Sequence, residues 1–242
     1  MQMLVKDIVK ACNGVLLCGD PETVITSVET DSRLIEPGAL FVPIIGQKTD
    51  AHQYIQQTFD KGAVAALTQE HTSMEDSAHC WIYVEQTQDA LQQIATVYRN
   101  QFQVPVVGVT GSVGKTSTKE VIASVLKEKY RTLKTQGNFN NELGLPLTVF
   151  RLRDEDEIAV LEMGISDFGE MTRLAKIARP DTCVITNIGT CHLENLGDRD
   201  GVLKAKTEIF RYVKKNIVLN GDDDKLSTVK EYNGIRPVFF GT

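Results

Sequence analysis

Gly111-Ser112-Val113-Gly114-Lys115-Thr116 stands between an apolar run, Val104 to Val109, and a segment, Lys119 to Lys127, in which Val121, Ile122, Val125 and Leu126 predict one apolar helical face. Strand, glycine loop, helix is the context in which such a loop holds phosphates. Its backbone N–H groups can wrap a phosphate, the helix offers its positive end, and Lys115 adds a mobile charge. Thr116 would place a hydroxyl on a phosphate-bound magnesium ion. Val109 stands where the full Gly-x4-Gly-Lys-[Ser/Thr] spacing has its first glycine, so the loop is a shortened variant. The bland alternative is an ordinary glycine turn, and the context argues against it.

From Val104 onward apolar strands and amphipathic helices alternate. The pattern predicts strands at 104–109, 131–134, 158–163, 182–188, 216–219 and 237–240. Helices are predicted at about 115–128, 141–150, 169–177 and 200–212, with a weaker one near 223–231. Repeated βα units with apolar strands imply a parallel sheet covered by helices, with the loops after the strands along one edge. Residues 1–84 differ in texture: short strands at Gly14–Cys18, Val24–Glu29, Ala39–Ile44, Ala63–Leu67 and Cys80–Val84, and one helix near His52–Asp60. Turns at Gly19-Asp20-Pro21, at Glu36-Pro37-Gly38 and in the polar stretch 69–77 separate them. A helix bearing Leu91, Ile94, Ala95 and Tyr98 bridges the two parts. The expected fold class is α/β: a small N-terminal α/β domain at 1–84, then a P-loop parallel sheet flanked by helices at 85–242. The chain stops just after Val238-Phe239-Phe240, where a sheet can end, although nothing caps or closes the domain after it.

With 242 residues the chain can bury a substantial core, and 42% hydrophobic with 24% charged residues is ordinary for a soluble globular protein. A formal charge of -6 argues against a nucleic-acid partner. No signal-peptide core or 18-residue apolar run appears, so no membrane partner is expected and the expected location is the cytoplasm. Five cysteines without a Cys-x-x-Cys pair read as reduced packing residues.

The loops after the later strands should face the same phosphates. Glu162 is a lone acid at an otherwise apolar strand end, costly to bury unless a cation or donors meet it. Magnesium would satisfy it, and a carboxylate on a backbone turn is the alternative. His192 lies in the polar loop after strand 182–188, where a surface role and metal ligation stand as equals. Lys206 lies mid-stripe among Val202, Leu203, Ile209 and Phe210 on the helix 200–212. It must snorkel to an edge, meet an anion or be chemically modified. Asn138, Asn140 and Asn141 crowd one helix start, where N-capping by Asn138 or Asn140 would use one of them.

Together these residues resemble the Mur ligases, the ATP-dependent amide ligases of bacterial cell-wall synthesis. The resemblance spans essentially the whole chain. It is carried by Thr110 to Thr116, by Gly137-Asn138-Phe139-Asn140-Asn141-Glu142 with Gly144-Leu145-Pro146, and by Glu162-Met163-Gly164. Asn187-Ile188-Gly189 with His192-Leu193-Glu194, and Ala205-Lys206 before Glu208-Ile209-Phe210, also match in order and spacing. Val113 replaces a usual asparagine. In the first domain Asp31-Ser32-Arg33, Pro37-Gly38, Leu40-Phe41-Val42 and Asp50-Ala51-His52 look like the family's UDP-sugar pocket, with Ala51 replacing a usual glycine.

The resemblance implies a ligase of peptidoglycan precursor synthesis, needed for cell shape and division, that joins D-alanyl-D-alanine to UDP-MurNAc-tripeptide through an acyl phosphate. ATP and Mg2+ are the implied cofactors. Gly111, Ser112, Gly114, Lys115, Thr116, Ser117, Asn138 and Asn141 would hold the nucleotide. Thr116, Glu162, His192 and Lys206 would hold or support metal, Lys206 as a carbamylated lysine. Lys115, His192 and Lys206 would be catalytic, while Ser32, Arg33, His52 and Asn140 would contact substrate. A monomer acting on small molecules is implied. By the resemblance the ATP-binding sheet is expected to be incomplete at its C-terminal end, the family's third domain to be absent, and the chain alone to be weakly active or inactive. The alternatives are a non-catalytic UDP-sugar- or nucleotide-binding fragment and another ligase of the superfamily, such as a folylpolyglutamate synthase.

Overall fold

The structure is a computed structural model describing residues 1–76 and 78–242; Ser77, the last residue of the polar stretch 69–77, lies outside the described residues. The chain forms two compact units, Met1–Tyr98 and Arg99–Thr242. The bridging helix therefore falls with the first unit, whereas the sequence reading drew its boundary at residue 84.

In the first unit β1 (Met3–Leu4) pairs antiparallel with β3 (Val24–Ile25). Between them lie α1 (Val5–Ala11) and β2 (Val15–Cys18). There follow β4 (Ser27–Glu29), β5 (Ala39–Phe41), a 3-10 turn at Ala51–Tyr54, α2 (Ile55–Asp60), β6 (Ala65–Thr68), β7 (Cys80–Tyr83) and α3 (Thr87–Arg99). Five strands form a sheet in the order β2-β7-β6-β5-β4, parallel except for β2 against β7. Phe41, Phe59, Ala66 and Trp81 anchor its core. The expected strand Val24–Glu29 breaks at Thr26, whose N–H bonds Gly38 O, and its two halves join different sheets. Helix α1 was not anticipated, since it buries only Val5 and Ile8 and has too few turns to show a period.

The second unit runs β8 (Val106–Thr110), α4 (Lys115–Lys127), β9 (Thr132–Lys134), α5 (Gly144–Val149), β10 (Ile158–Glu162), α6 (Glu170–Ala178) and β11 (Thr182–Ile185). It continues with α7 (Leu193–Leu196), α8 (Arg199–Thr207), a 3-10 turn at Glu208–Tyr212, β12 (Asn216–Asn220) and β13 (Val238–Phe240). All six strands are parallel, in the order β13-β12-β11-β8-β10-β9. From central β8 the chain moves to β9 and β10 on one side, then crosses to β11 on the other. With right-handed crossovers this reversal opens a crevice at the C-terminal end of β8, the usual ligand position in such sheets. The glycine loop leaves β8 at that point.

Two expectations change here. The buried face of α4 carries Lys119, Ile122, Ala123 and Leu126, while Val121 and Val125 are 63% and 67% exposed. The i, i+4 rows 121/125 and 122/126 lie about 100° apart, and the sheet takes Ile122 and Leu126 together with the row on their other side, Lys119 and Ala123. The helix near 223–231 reduces to a 3-10 turn, Leu226–Thr228. Its start is tied by the Asp223 carboxylate, which accepts from the Lys225 and Leu226 N–H groups.

Candidate active site

Gly111 has φ +147° and Gly114 φ +79°, backbone that side chains disfavour. A Cβ on Gly111 would lie 1.9 Å from Thr186 Oγ1. The loop is braced by the segment after β11. The Ser112 N–H reaches both the backbone and side-chain oxygens of Asn187, and the Val113 N–H reaches Asn187 Oδ1 at 2.9 Å. Thr186 Oγ1 donates to Val113 O, and the Gly189 N–H to Ser112 Oγ. Lys115 folds back, its ammonium 2.8 Å from Gly111 O and 3.1 Å from Ser112 O. Those carbonyls hold the charge that phosphate oxygens would otherwise take.

Glu162 ends β10 beside the loop and is 1% exposed. Its Oε1 accepts from Thr116 Oγ1 at 3.1 Å and from Asn140 Nδ2 at 2.8 Å. Its Oε2 is buried without a hydrogen-bond partner. The nearest cation is the Lys119 ammonium, 3.8 Å from Oε2 and also 1% exposed. Lys119 in turn donates to Thr135 O at 2.9 Å and pairs with Glu120 at 3.0 Å. A hydroxyl and a carboxylate carrying one unused oxygen form a hard donor set that suits a magnesium ion. Sequence reasoning missed Lys119; the signal was a lysine on the same helical face as Ile122, Ala123 and Leu126.

Lys206 is 1% exposed on α8. Burial pushes its pKa down to about 8, with Cys191 acting upward and the Lys115 ammonium downward. The snorkelling alternative is therefore not what the fold adopts. His192 sits at φ +56°, its ring 40% exposed and Nδ1 3.8 Å from Glu194; no hydrogen bond links it to Glu162 among the described residues. Neither Asn138 nor Asn140 caps α5, whose N-cap position is Leu143; Asn141 Oδ1 accepts from the Leu143 and Gly144 N–H groups ahead of the helix. Asn140 goes to Glu162 instead, and Asn138 and Ser117 are exposed. Gly164 packs against Asn140, 3.2 Å from the carboxamide at the position of a Cβ.

In the first unit the Arg33 guanidinium is paired with Asp31 and holds that carboxyl down to about 2. Ser32 O accepts from the Lys61 ammonium at 2.7 Å. His52 is buried: Nδ1 meets Asp50 Oδ1 at 2.6 Å and Nε2 accepts from the Gln69 N–H at 3.3 Å. Both ring nitrogens thus hold the loop together. Asp50, His52 and Glu70 lie with ligand atoms within 4.8 Å of one another, yet a cation there would have to break those bonds.

Glu29, at the end of β4, is pushed up to about 7 by burial and then by the charges of Glu36 and Asp31. Between about pH 4.5 and 7 the folded chain holds this proton and the unfolded chain does not, so stability falls as pH rises across that window. A Glu29→Gln variant should lose that slope in urea unfolding. An unchanged slope would contradict the assignment.

Residues 109–242 match the Mur ligase middle domain. The chain belongs to the Mur ligase family. Residues 24–105 match the Mur ligase family catalytic domain. This Mur ligase chain is 45% identical over 216 residues to the UDP-N-acetylmuramoyl-tripeptide–D-alanyl-D-alanine ligase of Bacillus subtilis, covering 89% of itself and 47% of that protein. It is 36% identical over 215 residues to the Escherichia coli enzyme of the same name, covering 88% and 47%. A crystal structure of MurF from Acinetobacter baumannii superposes with TM-score 0.90 at 33% identity, over 100% of this chain and 54% of that one. That of Thermotoga maritima MurF ligase in complex with ADP gives 0.79 at 36% identity, over 89% and 50%. The chain spans about half the length of the curated relatives it matches.

Proposed function

We propose that this chain carries the UDP-sugar- and ATP-binding parts of a ligase that joins D-alanyl-D-alanine to UDP-MurNAc-tripeptide. The observation that carries the reading is the group Thr116–Glu162–Asn140 at the mouth of the glycine loop, in a chain whose relatives bear that enzyme's name. ATP would phosphorylate the tripeptide's terminal carboxylate, the dipeptide amine would attack the acyl phosphate, and phosphate would leave.

Transfer of this kind depends mostly on positioning and charge neutralisation. Lys115 swings from Gly111 O and Ser112 O to the β- and γ-phosphates, and the free N–H groups at the start of α4 receive the phosphate oxygens. Thr116 and Glu162 would hold one magnesium ion, with His192 turning inward to hold a second. Bound there, magnesium would neutralise phosphate charge. Asn140 keeps Glu162 aimed toward Thr116. Lys206, its pKa held down to about 8 by burial, keeps a larger neutral fraction than an exposed lysine and is suited to add CO2 as a carbamate with loss of a proton to solvent. The resulting anion explains a buried lysine on an inward face. In the first unit Ser32 and Arg33 would receive the uridine diphosphate, with His52 shaping the loop rather than touching the ligand.

Binding of UDP-MurNAc-tripeptide and of Mg-ATP to the chain tests the reading, and any phosphate release from ATP should depend on both UDP-MurNAc-tripeptide and D-alanyl-D-alanine. Lys206→Ala should abolish it, with partial recovery on adding a short carboxylic acid. Turnover without either substrate, or full activity of Lys206→Ala, would overturn the reading or its carbamate respectively.

A further inference from the structure

We infer that Asn187 is a positioning residue, which holds the glycine loop in its phosphate-receiving shape before any ligand arrives. The inference rests on the reading of that loop as a nucleotide site and concerns how the loop is held.

Converging N–H groups in a tight loop repel one another unless something accepts from them. Asn187 Oδ1 accepts from the Ser112 N–H at 3.0 Å and the Val113 N–H at 2.9 Å, and its backbone oxygen takes a second share of Ser112 at 3.0 Å. Thr186 Oγ1 holds Val113 O at 2.6 Å, and the Gly189 N–H holds Ser112 Oγ at 2.8 Å. Three residues of one short segment thus engage the donors, a carbonyl and a hydroxyl of the first half of the loop.

That segment is itself anchored. The Ile188 N–H donates to Asp223 at 2.8 Å, Asn220 Nδ2 donates to Thr186 O at 3.0 Å, and the Arg199 guanidinium, paired with Asp224, donates to Ile188 O at 2.9 Å. The brace therefore ties the loop to β12, to the turn that follows it and to α8.

The N–H groups of the loop then divide their work. Ser112 and Val113 are committed to Asn187. The first helical bond of α4 runs from the Thr118 N–H to Gly114 O at 2.9 Å, so the preceding N–H groups have no intrahelical acceptor and face the ligand. A loop ordered in advance spares the bound nucleotide the cost of ordering it. If phosphate instead displaced Asn187 from Ser112 and Val113, the carboxamide would compete with nucleotide, and its removal would tighten binding.

The experiment titrates fluorescent Mg-ADP into the natural protein and Asn187→Ala, with far-UV circular dichroism as the check on folding, because Asn187 lies in the unit Arg99–Thr242 and not in the unit that would hold UDP-sugar. Loss of an acceptor shared by two N–H groups predicts about tenfold weaker Mg-ADP binding with the circular dichroism spectrum unchanged. Equal or tighter Mg-ADP binding by the variant overturns the inference. A natural protein that binds no Mg-ADP overturns the nucleotide site itself. Amide hydrogen exchange on the natural protein decides independently of any variant's folding: slow exchange at Ser112 and Val113 without nucleotide supports the brace, and fast exchange that slows only on adding Mg-ADP overturns it.

Discussion

A Lys119→Met variant should lose about 3–5 kcal/mol of stability in urea unfolding, the usual cost of removing one partner from a buried ion pair. Lys119 and Glu162 are each 1% exposed, and Glu162 Oε2 has no hydrogen-bond donor. Methionine fills much the same volume, so the loss reports charge rather than a cavity. Thr135 O also loses its donor, while Glu120 keeps Lys134 as a partner. The double variant Lys119→Met, Glu162→Leu should recover much of the loss, because both buried charges are then gone. A single variant within about 1 kcal/mol of the natural chain would show that Glu162 does not depend on Lys119.

Gly111→Ala is the second large effect, through geometry instead of charge. The new methyl would sit 1.9 Å from Thr186 Oγ1 and 3.1 Å from the Thr186 backbone nitrogen, at φ +147°. Rotating the Thr186 hydroxyl away breaks its bond to Val113 O. Backbone strain and overpacking each cost about 1–3 kcal/mol, so a combined loss of about 2–6 kcal/mol is expected, together with loss of Mg-nucleotide binding. Gly114→Ala separates the two causes, since Gly114 has φ +79° but nothing within 4 Å of its Cβ position. It should cost only about 1–2 kcal/mol. Equal losses for the two variants would remove the steric argument.

What could be read without coordinates follows from period and chemistry. The alternation from Val104 onward, the loop at Gly111 to Thr116 and the isolated acid at Glu162 were legible because each breaks or obeys a local pattern. Lys206 was legible by the same reasoning, and Lys119 was not. Residues 121, 122, 125 and 126 straddle two helical rows, and only the sheet decides which row is buried. Asn187 could be seen as a loop residue after a strand, but its partners Ser112 and Val113 lie 75 and 74 positions away. Among the three asparagines, the number was informative and the assignment was not. Asn141 binds the N–H groups ahead of α5 and Asn140 binds the carboxylate, because Gly164 lets the loop approach β10 closely. The 3-10 turn at Leu226–Thr228 replaced a helix for a tertiary reason, since Asp223 is shared with the Ile188 N–H across the fold.

The central claim is that the loop at Gly111 to Thr116 binds a magnesium nucleotide through Lys115. Titrating Mg-ADP into the natural protein and Lys115→Ala, with UDP-sugar binding measured in parallel, tests it most directly. Loss of charge-assisted hydrogen bonds worth about 1.5–3 kcal/mol predicts a roughly tenfold to hundredfold weaker nucleotide complex, with the UDP-sugar affinity unchanged. Lys115→Ala binding Mg-ADP as tightly as the natural protein would contradict the claim.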